Sequence, residues 1–287
     1  MQDLIDKIVE LLVKDGYERI VNVPLRKIAE EFLSEARIQE QLKEIQRFFP
    51  LTPQHKLLEI GSGYGMLVAY CRKNHLCQAF GVEPGEEPFS GTYRLSLELF
   101  AHFGLDASVI KKGVGEHLPY EDHSFDVIYS VSVLEHTQQP DQVIAETIRV
   151  LKPGGIAVLN FPNYSSWWEG HYGILFLPYS PRWLLKIIVK LLGRDPRYVD
   201  TLQLITYLQL KRWLTNHTHP IKIISFGQEI WEERVRRLSF SEWAALGKLK
   251  KIVAFLHRLK MIELIIWIGK KLHWETPFVL VIQKNGS

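Results

Sequence analysis

Short apolar runs alternate with helical stretches between residues 57 and 160, and this alternation restricts the possible folds more than any other feature of the sequence. It predicts buried strands at Leu57–Ile60, Ala79–Glu83, Phe125–Ser130 and Gly155–Asn160. The pattern is typical of βαβ units, in which a helix connects two parallel strands. The sequence therefore predicts an α/β fold with a doubly wound, Rossmann-like and mostly parallel sheet.

Helical patterns flank this region on both sides. Residues 2–14 and about 24–48 carry apolar residues at spacings of three and four, which predicts amphipathic N-terminal helices. A basic segment at about Trp231–Lys271 predicts a helical insertion near the C-terminus. The remaining predicted elements are a helix over about Thr201–Asn216 and strands over Ile221–Ser225 and Phe278–Gln283.

The cysteines and the N-terminus indicate a reducing compartment. Cys71 and Cys77 are too few for a disulfide framework or a metal cluster, so we expect reduced thiols. The first residues lack the basic start and the continuous apolar stretch of a signal peptide. We therefore expect a cytoplasmic protein, with a peripheral position on the inner membrane face as a further option.

Charge is distributed unevenly along the chain. Residues 1–160 hold 16 Lys and Arg against 23 Asp and Glu, whereas residues 161–287 hold 19 against 9. All eight tryptophans also lie after residue 160. This asymmetry indicates that the two halves face different partners.

A glycine-rich turn follows the first predicted strand. The strand ends near Glu59 and continues into Gly61, Gly63 and Gly65, so a ligand can lie against bare backbone at the start of the next helix. The dinucleotide fingerprint requires a third glycine or alanine where this chain has Met66, and the chain has no P-loop. The turn therefore disfavours NAD and ATP.

An acidic residue ends the second predicted strand. Glu83 lies about twenty residues beyond the turn, where a carboxylate that accepts hydrogen bonds from ribose hydroxyls is expected. The alternative is a surface carboxylate in a turn. The combination of turn and carboxylate predicts a nucleoside-containing ligand.

Four segments together resemble the class I S-adenosylmethionine-dependent methyltransferases, and especially the small-molecule branch that includes the ubiquinone and menaquinone biosynthetic enzymes. They are Leu57–Gly65, Gly81–Pro84, Gly115–Tyr120 with the following Ser124–Ser130, and Val150–Gly155. The resemblance covers about residues 50–162. It implies a seven-stranded sheet and S-adenosyl-L-methionine as the methyl donor.

The resemblance also implies roles for individual residues. The glycines of the turn would contact the methionine portion of the donor, with Glu59 near its amino group. Glu83 would bind both ribose hydroxyls, and Glu116 would accept a hydrogen bond from the adenine amino group. The residues expected to bind the donor are Glu59, Gly61, Ser62, Gly63, Gly65, Glu83, Pro84, Glu116, His117, Ser130 and Val131.

Three residues are candidates for a catalytic role. A hydroxyl acceptor benefits from a nearby base, and His136 follows the fourth predicted strand at the edge of the expected cleft. Glu169 and His171 follow the fifth strand, where a loop that covers the acceptor is expected. Each has a structural alternative: His136 can hold the following helix, and the aromatic loop can pack on the sheet edge. No metal ion is expected, because two ligands without helical spacing are weak support.

The basic second half contains two apolar segments that are too short or too charged to cross a bilayer, which requires about 20 apolar residues. Of these, Lys248–Leu272 combines an apolar stripe, basic flanks and the nearby Trp267 and Trp274, which suits a helix in an anionic membrane interface. The stripe can equally pack on the core. No nucleic-acid partner is expected, because the chain has no recognisable module or clustered basic run.

These observations predict a methyltransferase that acts on a hydroxyl of a small-molecule, sugar or lipid-linked acceptor. The alternatives are carbon methylation of a quinone-like ring and a donor-binding or membrane-binding protein without catalysis. We expect one catalytic domain in three parts. These are an N-terminal helical cap (1–50), a donor-binding half (51–162) and a substrate side with the lid, the last strands and the basic insertion (163–287).

Overall fold

A computed structural model of the protein describes residues 1–21, 23–86, 90–215, 220–237 and 261–286. Seven strands of this part of the chain form one sheet. They are β1 (Lys56–Ile60), β2 (Gln78–Glu83), β3 (Ile110–Lys112), β4 (Phe125–Val131), β5 (Leu151–Phe161), β8 (Ile221–Ser225) and β9 (Phe278–Lys284), with β6 (Trp168–Glu169) and β7 (Ile174–Leu175) forming a separate small hairpin.

The strand order is β3-β2-β1-β4-β5-β9-β8. Strands β1 to β5 are parallel, and β9 pairs antiparallel with both β5 and β8. The predicted mostly parallel, seven-stranded α/β sheet is confirmed. The chain reverses its direction of progress across the sheet between β1 and β4, and ligands of such sheets bind in the crevice at this point, beyond the carboxyl ends of the strands.

Ten α-helices are described in these residues. They are α1 (Gln2–Lys14), α2 (Leu25–Phe32), α3 (Glu35–Gln46), α4 (Met66–Lys73), α5 (Ser90–Phe103), α6 (Pro140–Val150), α7 (Arg182–Leu191), α8 (Tyr207–Thr215), α9 (Gln228–Arg237) and α10 (Ile262–Leu272). No helix in the described part of the chain is long and apolar enough to cross a membrane.

Both faces of the sheet are buried, which explains why its strands are continuous apolar runs rather than alternating ones. Leu57 and Leu58 are neighbours in β1, and they enter different hydrophobic clusters on opposite faces. One cluster contains the N-terminal helices α1 to α3 with α4 and α5, and the other contains α6 and α8. The N-terminal helices are therefore part of the core.

The single helix predicted over 24–48 is two helices, because Ser34 begins a new one. Its backbone is extended (φ −79°, ψ 135°), and its hydroxyl accepts a hydrogen bond from the Arg37 N–H at 3.2 Å. This is the geometry of a helix N-cap, which satisfies one of the backbone donors that a helix start leaves free.

Other expectations require smaller corrections. The three-residue strand β3 has too short a pattern to be predicted, and the β6–β7 hairpin and α7 follow Pro162, where the sequence pattern predicts no regular element. The spacing of Cys71 and Cys77 suits one helix, but Cys71 lies in α4 and Cys77 lies beyond its end, and both are buried free thiols. The predicted helix over about Thr201–Asn216 begins only at Tyr207.

The basic insertion is described at its two ends only. Residues 238–260, which include Ile252, Phe255, Leu256 and Leu259 of the predicted interfacial stripe, lie outside the described residues. In α10, Ile262 and Ile266 are buried against Trp231 and Val235 of α9, whereas Trp267 is exposed. The described part of the stripe therefore packs on the protein.

The Ser34 cap can be tested directly. We expect Ser34→Ala to lower the free energy of unfolding by about 1 kcal/mol, because the Arg37 N–H loses its acceptor, and Ser34→Asp to retain most of it. Urea unfolding of the two variants measures this. An equal loss in both would show that the hydroxyl does not cap α3.

Candidate active site

The glycine-rich turn leaves β1 directly at the point where the strand order reverses. Gly61, Gly63 and Gly65 all have positive φ values, of 67°, 52° and 76°. The N–H groups of Gly61 and Ser62 donate to the Val82 carbonyl at 2.9 and 3.0 Å, which ties the turn to β2. A Cβ added to Gly63 would meet no described atom within 4 Å. The turn therefore leaves open space above bare backbone.

Two buried carboxylates face each other beside this turn. Glu59 is 7% exposed and Glu83 is 4% exposed, and Glu83 Oε2 accepts a hydrogen bond from the Gly63 N–H at 2.8 Å. Burial, and then the charge of Glu83, raises the pKa of Glu59 to about 8. Burial raises the pKa of Glu83 to about 7, although the Gly63 N–H opposes this shift. Both groups therefore hold protons more tightly than an ordinary glutamate does.

The turn also contains buried polar atoms that lack hydrogen-bond partners among the described residues. They are Glu59 Oε2 and Ser62 Oγ. A buried polar group without a partner costs free energy, so a ligand rich in hydrogen-bond donors would stabilise this surface. The ammonium and ribose hydroxyl groups of S-adenosylmethionine provide such donors, and the residues at this turn fit that molecule.

Glu116, which the sequence predicts to contact adenine, accepts hydrogen bonds from the protein backbone. Its Oε1 accepts hydrogen bonds from the N–H groups of Gln138 at 2.8 Å and Gln139 at 3.3 Å, immediately before α6. One carboxylate oxygen thus caps a helix, because helix starts leave backbone donors free. The adenine contact of Glu116 stays a prediction, as does that of the exposed His117.

The loop that follows Glu116 is held by α6. Glu146 Oε2 accepts a hydrogen bond from the Leu118 N–H at 2.9 Å. Arg149 donates to the Leu118 and Tyr120 carbonyls and forms an ion pair with Glu146. These contacts fix the backbone of the predicted adenine-binding loop.

At the end of β4 the chain turns sharply toward the cleft. Ser130 is fully buried, and its hydroxyl donates to the Ile60 carbonyl of β1 at 3.1 Å. Ser132 has a positive φ of 54°, which is unusual for a residue other than glycine. Val133 then contacts the glycine turn so closely that a Cβ at Gly61 would lie 2.2 Å from its Cγ2. The turn and the end of β4 therefore pack as one unit.

The three predicted catalytic candidates meet in one cluster, together with Glu135. His136 belongs to a short 3₁₀ helix, Leu134–His136, that starts next to Val133. Its Nε2 lies 3.9 Å from Glu135 Oε1, and His171 Nε2 lies 3.7 Å from the same oxygen. His171 Nδ1 lies 2.7 Å from Glu169 Oε1. We call Glu135, His136, Glu169 and His171 the Glu-His cluster.

Burial sets the protonation of this cluster. It raises the pKa of Glu135 to about 7, although His171 opposes this shift, and it lowers the pKa of His136 to about 4 with the help of His171. Burial is also the largest single influence on His171 and Glu169, but their mutual hydrogen bond and the neighbouring charges together outweigh it for His171, and for Glu169 they do so with two backbone hydrogen bonds. The pKa of His171 is therefore raised and that of Glu169 is lowered. At pH 7 His136 is neutral and Glu169 is ionised.

Two tyrosines that the sequence analysis did not single out border the cluster. The rings of His171 and Tyr198 lie 5.5 Å apart, and Tyr198 shares a side-chain hydrogen bond with Tyr17 from the N-terminal segment. No local pattern marks either residue, because 180 positions separate them in sequence. Glu135 lies next to a chosen candidate, and only its complete burial distinguishes it.

A cleft of about 770 Å³ connects the end of β4 with the Glu-His cluster. Val131 and Ser132 line it at the end of β4, and Gly170 and His171 line it beside the β6–β7 hairpin. Most of its charged side chains come from α3 and α9. They include Arg37, Glu40, Lys43, Glu44, Glu233, Arg234 and Arg237.

Comparisons with known proteins agree with this architecture. Residues 58–159 match the family model described as a methyltransferase domain. The chain is 28% identical over 116 residues to a glycine/sarcosine/dimethylglycine N-methyltransferase from Actinopolyspora halophila, which covers 40% of this chain and 20% of that protein. It is 32% identical over 117 residues to an uncharacterized methyltransferase from Mycobacterium avium (strain 104), which covers 40% of this chain and 42% of that protein.

Two solved structures share the fold. A protein from Galdieria sulphuraria, provisionally assigned as a sarcosine dimethylglycine methyltransferase, has a TM-score of 0.51 at 16% identity and covers 91% of this chain and 88% of its own. The geranyl diphosphate C-methyltransferase from Streptomyces coelicolor A3(2) has a TM-score of 0.51 at 13% identity, with 91% and 82% covered. At these identities the likeness shows the fold alone.

Residues 58–159 thus match a methyltransferase domain, and the sheet around them has the Rossmann-like fold. The chain spans less than half the length of the curated relatives named above. Those relatives do not bear specifically on the ubiquinone and menaquinone branch, so that finer resemblance stays a prediction.

The raised pKa of Glu83 predicts how stability depends on pH. The folded protein keeps a proton on Glu83 that the unfolded chain releases near pH 4.5, so this stabilisation is present below pH 4.5 and is lost as the pH rises through about 7. We expect Glu83→Gln to gain up to about 3 kcal/mol of unfolding free energy relative to wild type between pH 4.5 and 8. Urea unfolding without donor measures this. The exposed substitution Glu121→Gln is the control, and parallel pH profiles of wild type and Glu83→Gln would contradict the assignment.

Proposed function

We propose that the protein is an S-adenosylmethionine-dependent methyltransferase that methylates a hydroxyl of a small-molecule, sugar or lipid-linked acceptor. The observation that carries this proposal is the position of the Glu-His cluster. It begins at Glu135, two residues beyond Val133, which packs directly on the glycine turn. When bound, the donor supplies a methyl group already activated by a sulfonium.

On the donor side, we assign binding to the buried polar atoms of the turn. Glu83 accepts hydrogen bonds from the ribose hydroxyls, and Glu59 pairs with the amino group. The Gly63 N–H keeps the Glu83 carboxylate in place. These contacts orient the donor toward the end of β4, and alignment supplies much of the catalysis in such a displacement.

On the acceptor side, a hydroxyl must lose its proton. The neutral His136 has the protonation state of a base, and its side chain is 23% exposed. Glu169 is fully buried, and its oxygens accept hydrogen bonds from Tyr164, His171 and the Tyr172 N–H. We therefore assign Glu169 to positioning His171 rather than to contact with the acceptor.

The lining of the cleft favours a polar acceptor. Charged side chains from α3 and α9 dominate it, whereas a quinone-like ring would require an apolar pocket. This disfavours the alternative of carbon methylation. The intact buried carboxylates Glu59 and Glu83 likewise disfavour a protein that has lost catalysis.

Nitrogen is the second candidate for the methylated atom. A relative from Actinopolyspora halophila is named as an N-methyltransferase of glycine, sarcosine and dimethylglycine. However, that similarity spans only 40% of this chain, and part of the Glu-His cluster comes from residues beyond the matched domain at 58–159. The acceptor of that relative therefore does not transfer to this chain without a test.

Substitutions at Glu83 and at His136 should affect different steps, donor binding and methyl transfer respectively. We expect Glu83→Gln to weaken S-adenosylmethionine binding more than tenfold in calorimetry, because the ribose loses its charged acceptor. We expect His136→Ala to bind the donor like wild type but to lose transfer of a labelled methyl group to a panel of sugars, phenols and glycine derivatives. Glu121→Gln is the matched control.

Three results would each contradict a part of this assignment. Unchanged donor binding by Glu83→Gln would remove the donor site from the turn. Wild-type turnover by His136→Ala would make His136 structural. Methylation of the glycine derivatives alone would replace oxygen by nitrogen as the accepting atom.

We further propose that the protein contacts an anionic membrane through α7. Trp183, Ile187 and Leu191 recur every four residues on its outer face and are 62%, 47% and 81% exposed. Lys186 and Lys190 lie on the same helix. An exposed apolar stripe with lysines is typical of helices that lie in a membrane interface, and this position would suit a lipid-linked acceptor.

Vesicle sedimentation tests this contact. We expect wild type to sediment with phosphatidylglycerol vesicles at low salt, and Leu191→Glu to reduce the bound fraction severalfold, because a charge would enter the interface. Leu208→Glu is the matched control, since Leu208 is 64% exposed on α8. Equal sedimentation of the two variants, or none by wild type, would contradict the proposal.

A further inference from the structure

We propose that Glu135, His136 and His171 form a binding site for a divalent transition-metal ion, with Zn²⁺ as the best match. Each residue directs one ligand atom toward a common point. These three atoms all lie within 4.8 Å of one another. The residues come from two loops, so only the tertiary structure assembles the site.

The distances between the ligand atoms are close to those that a tetrahedral ion requires. Glu135 Oε1 lies 3.9 Å from His136 Nε2 and 3.7 Å from His171 Nε2. Ligands at about 2.1 Å from a tetrahedral Zn²⁺ lie about 3.4 Å apart. The two distances from Glu135 Oε1 are therefore only a few tenths of an ångström longer than those around a bound ion, and the two histidine ligand atoms lie within 4.8 Å of each other.

The Glu135 carboxylate gives independent support. It is completely buried, and neither of its oxygens accepts a hydrogen bond from any other described residue. A buried carboxylate that accepts no hydrogen bond is costly, and buried charges are normally paired or coordinate metal ions. A cation between Glu135 and the two histidines would supply a direct ligand contact to this carboxylate.

His171 is already oriented as a metal ligand. Its Nδ1 lies 2.7 Å from Glu169 Oε1, so Nδ1–H donates to the carboxylate and the Nε2 lone pair faces Glu135. Glu169 is itself fixed by the Tyr164 hydroxyl at 3.1 Å and the Tyr172 N–H at 2.7 Å. A carboxylate behind a ligating histidine sets its tautomer and increases its basicity. Glu169 therefore acts as a positioning residue for the site.

The ligand set indicates the kind of ion. Two imidazole nitrogens and one carboxylate suit Zn²⁺ and similar first-row ions, whereas Mg²⁺ and Ca²⁺ prefer oxygen ligands. Two histidines and one glutamate also form catalytic zinc sites that leave the fourth position open. His171 lines the cleft, so the open position can face an acceptor.

A role in methyl transfer rests on the proposed function, whereas metal binding itself does not. An acceptor hydroxyl bound to the ion ionises more readily, and its proton leaves to solvent in the cleft. The oxygen then forms the bond to the methyl carbon while the carbon–sulfur electron pair returns to sulfur. In the metal-bound protein His136 is a ligand of the ion. The ion, rather than His136, then promotes ionisation of the acceptor hydroxyl.

Metal binding can be measured on the full chain without donor or acceptor. After treatment with a chelator, we expect wild type to bind one Zn²⁺ per chain in a competition titration with a chromophoric chelator. His171→Ala and Glu135→Gln should each lose at least 100-fold in affinity, and Glu169→Gln should lose about 10- to 100-fold. His102→Ala, at an exposed histidine of α5, should bind like wild type.

Cobalt substitution identifies the ligands. We expect the visible absorption of four-coordinate Co²⁺ in wild type, with no charge-transfer band from the buried thiols of Cys71 and Cys77. Circular dichroism confirms that each variant is folded, and Glu135→Gln serves if His171→Ala does not fold. Zn²⁺ affinity in wild type no higher than in Glu135→Gln, or a thiolate band, would overturn the proposal. Loss of methyl transfer with intact Zn²⁺ binding would instead count against the proposed function alone.

Discussion

Parallel pairing of β1 with β2 on one side and β4 on the other is the constraint on which the site depends. The register places Ile60 of β1 opposite both Val82 and Ser130. Because the connections from these strands leave in opposite directions, a crevice opens at their carboxyl ends. The glycine turn, the Glu83 carboxylate and the end of β4 all face this crevice.

Burial then gives the crevice its chemistry. Glu59 and Glu83 beside the glycine turn and Glu135 beyond the end of β4 are nearly or fully buried, and burial is the largest cause of their raised pKa values. Such groups destabilise the ligand-free fold at neutral pH. Functional sites commonly concentrate perturbed groups of this kind. The buried carboxylates therefore lower the free energy of unfolding of the ligand-free protein, and a ligand that binds them can restore it.

Prediction from sequence succeeded where a local pattern carried the information. The strands β1, β2, β4 and β5 were predicted because both faces of the sheet are apolar, and the positive φ values of the glycines follow from their residue type. β3 was missed because three residues are too few to form a pattern. The break before α3 was missed because the Ser34 N-cap starts a new helix although the apolar spacing continues across it. His136 was chosen separately from the pair Glu169 and His171, and the contact between them was not predicted.

The sequence by itself determined the fold class and the glycine-rich turn, since both depend on periodicity and residue type within short segments. Only the tertiary structure decided that Glu135 and His136, from the end of β4, meet Glu169 and His171, from the β6–β7 hairpin. This contact depends on how two loops pack against Tyr198 and the N-terminal Tyr17. Contacts between distant segments leave no local pattern, because packing in three dimensions selects them.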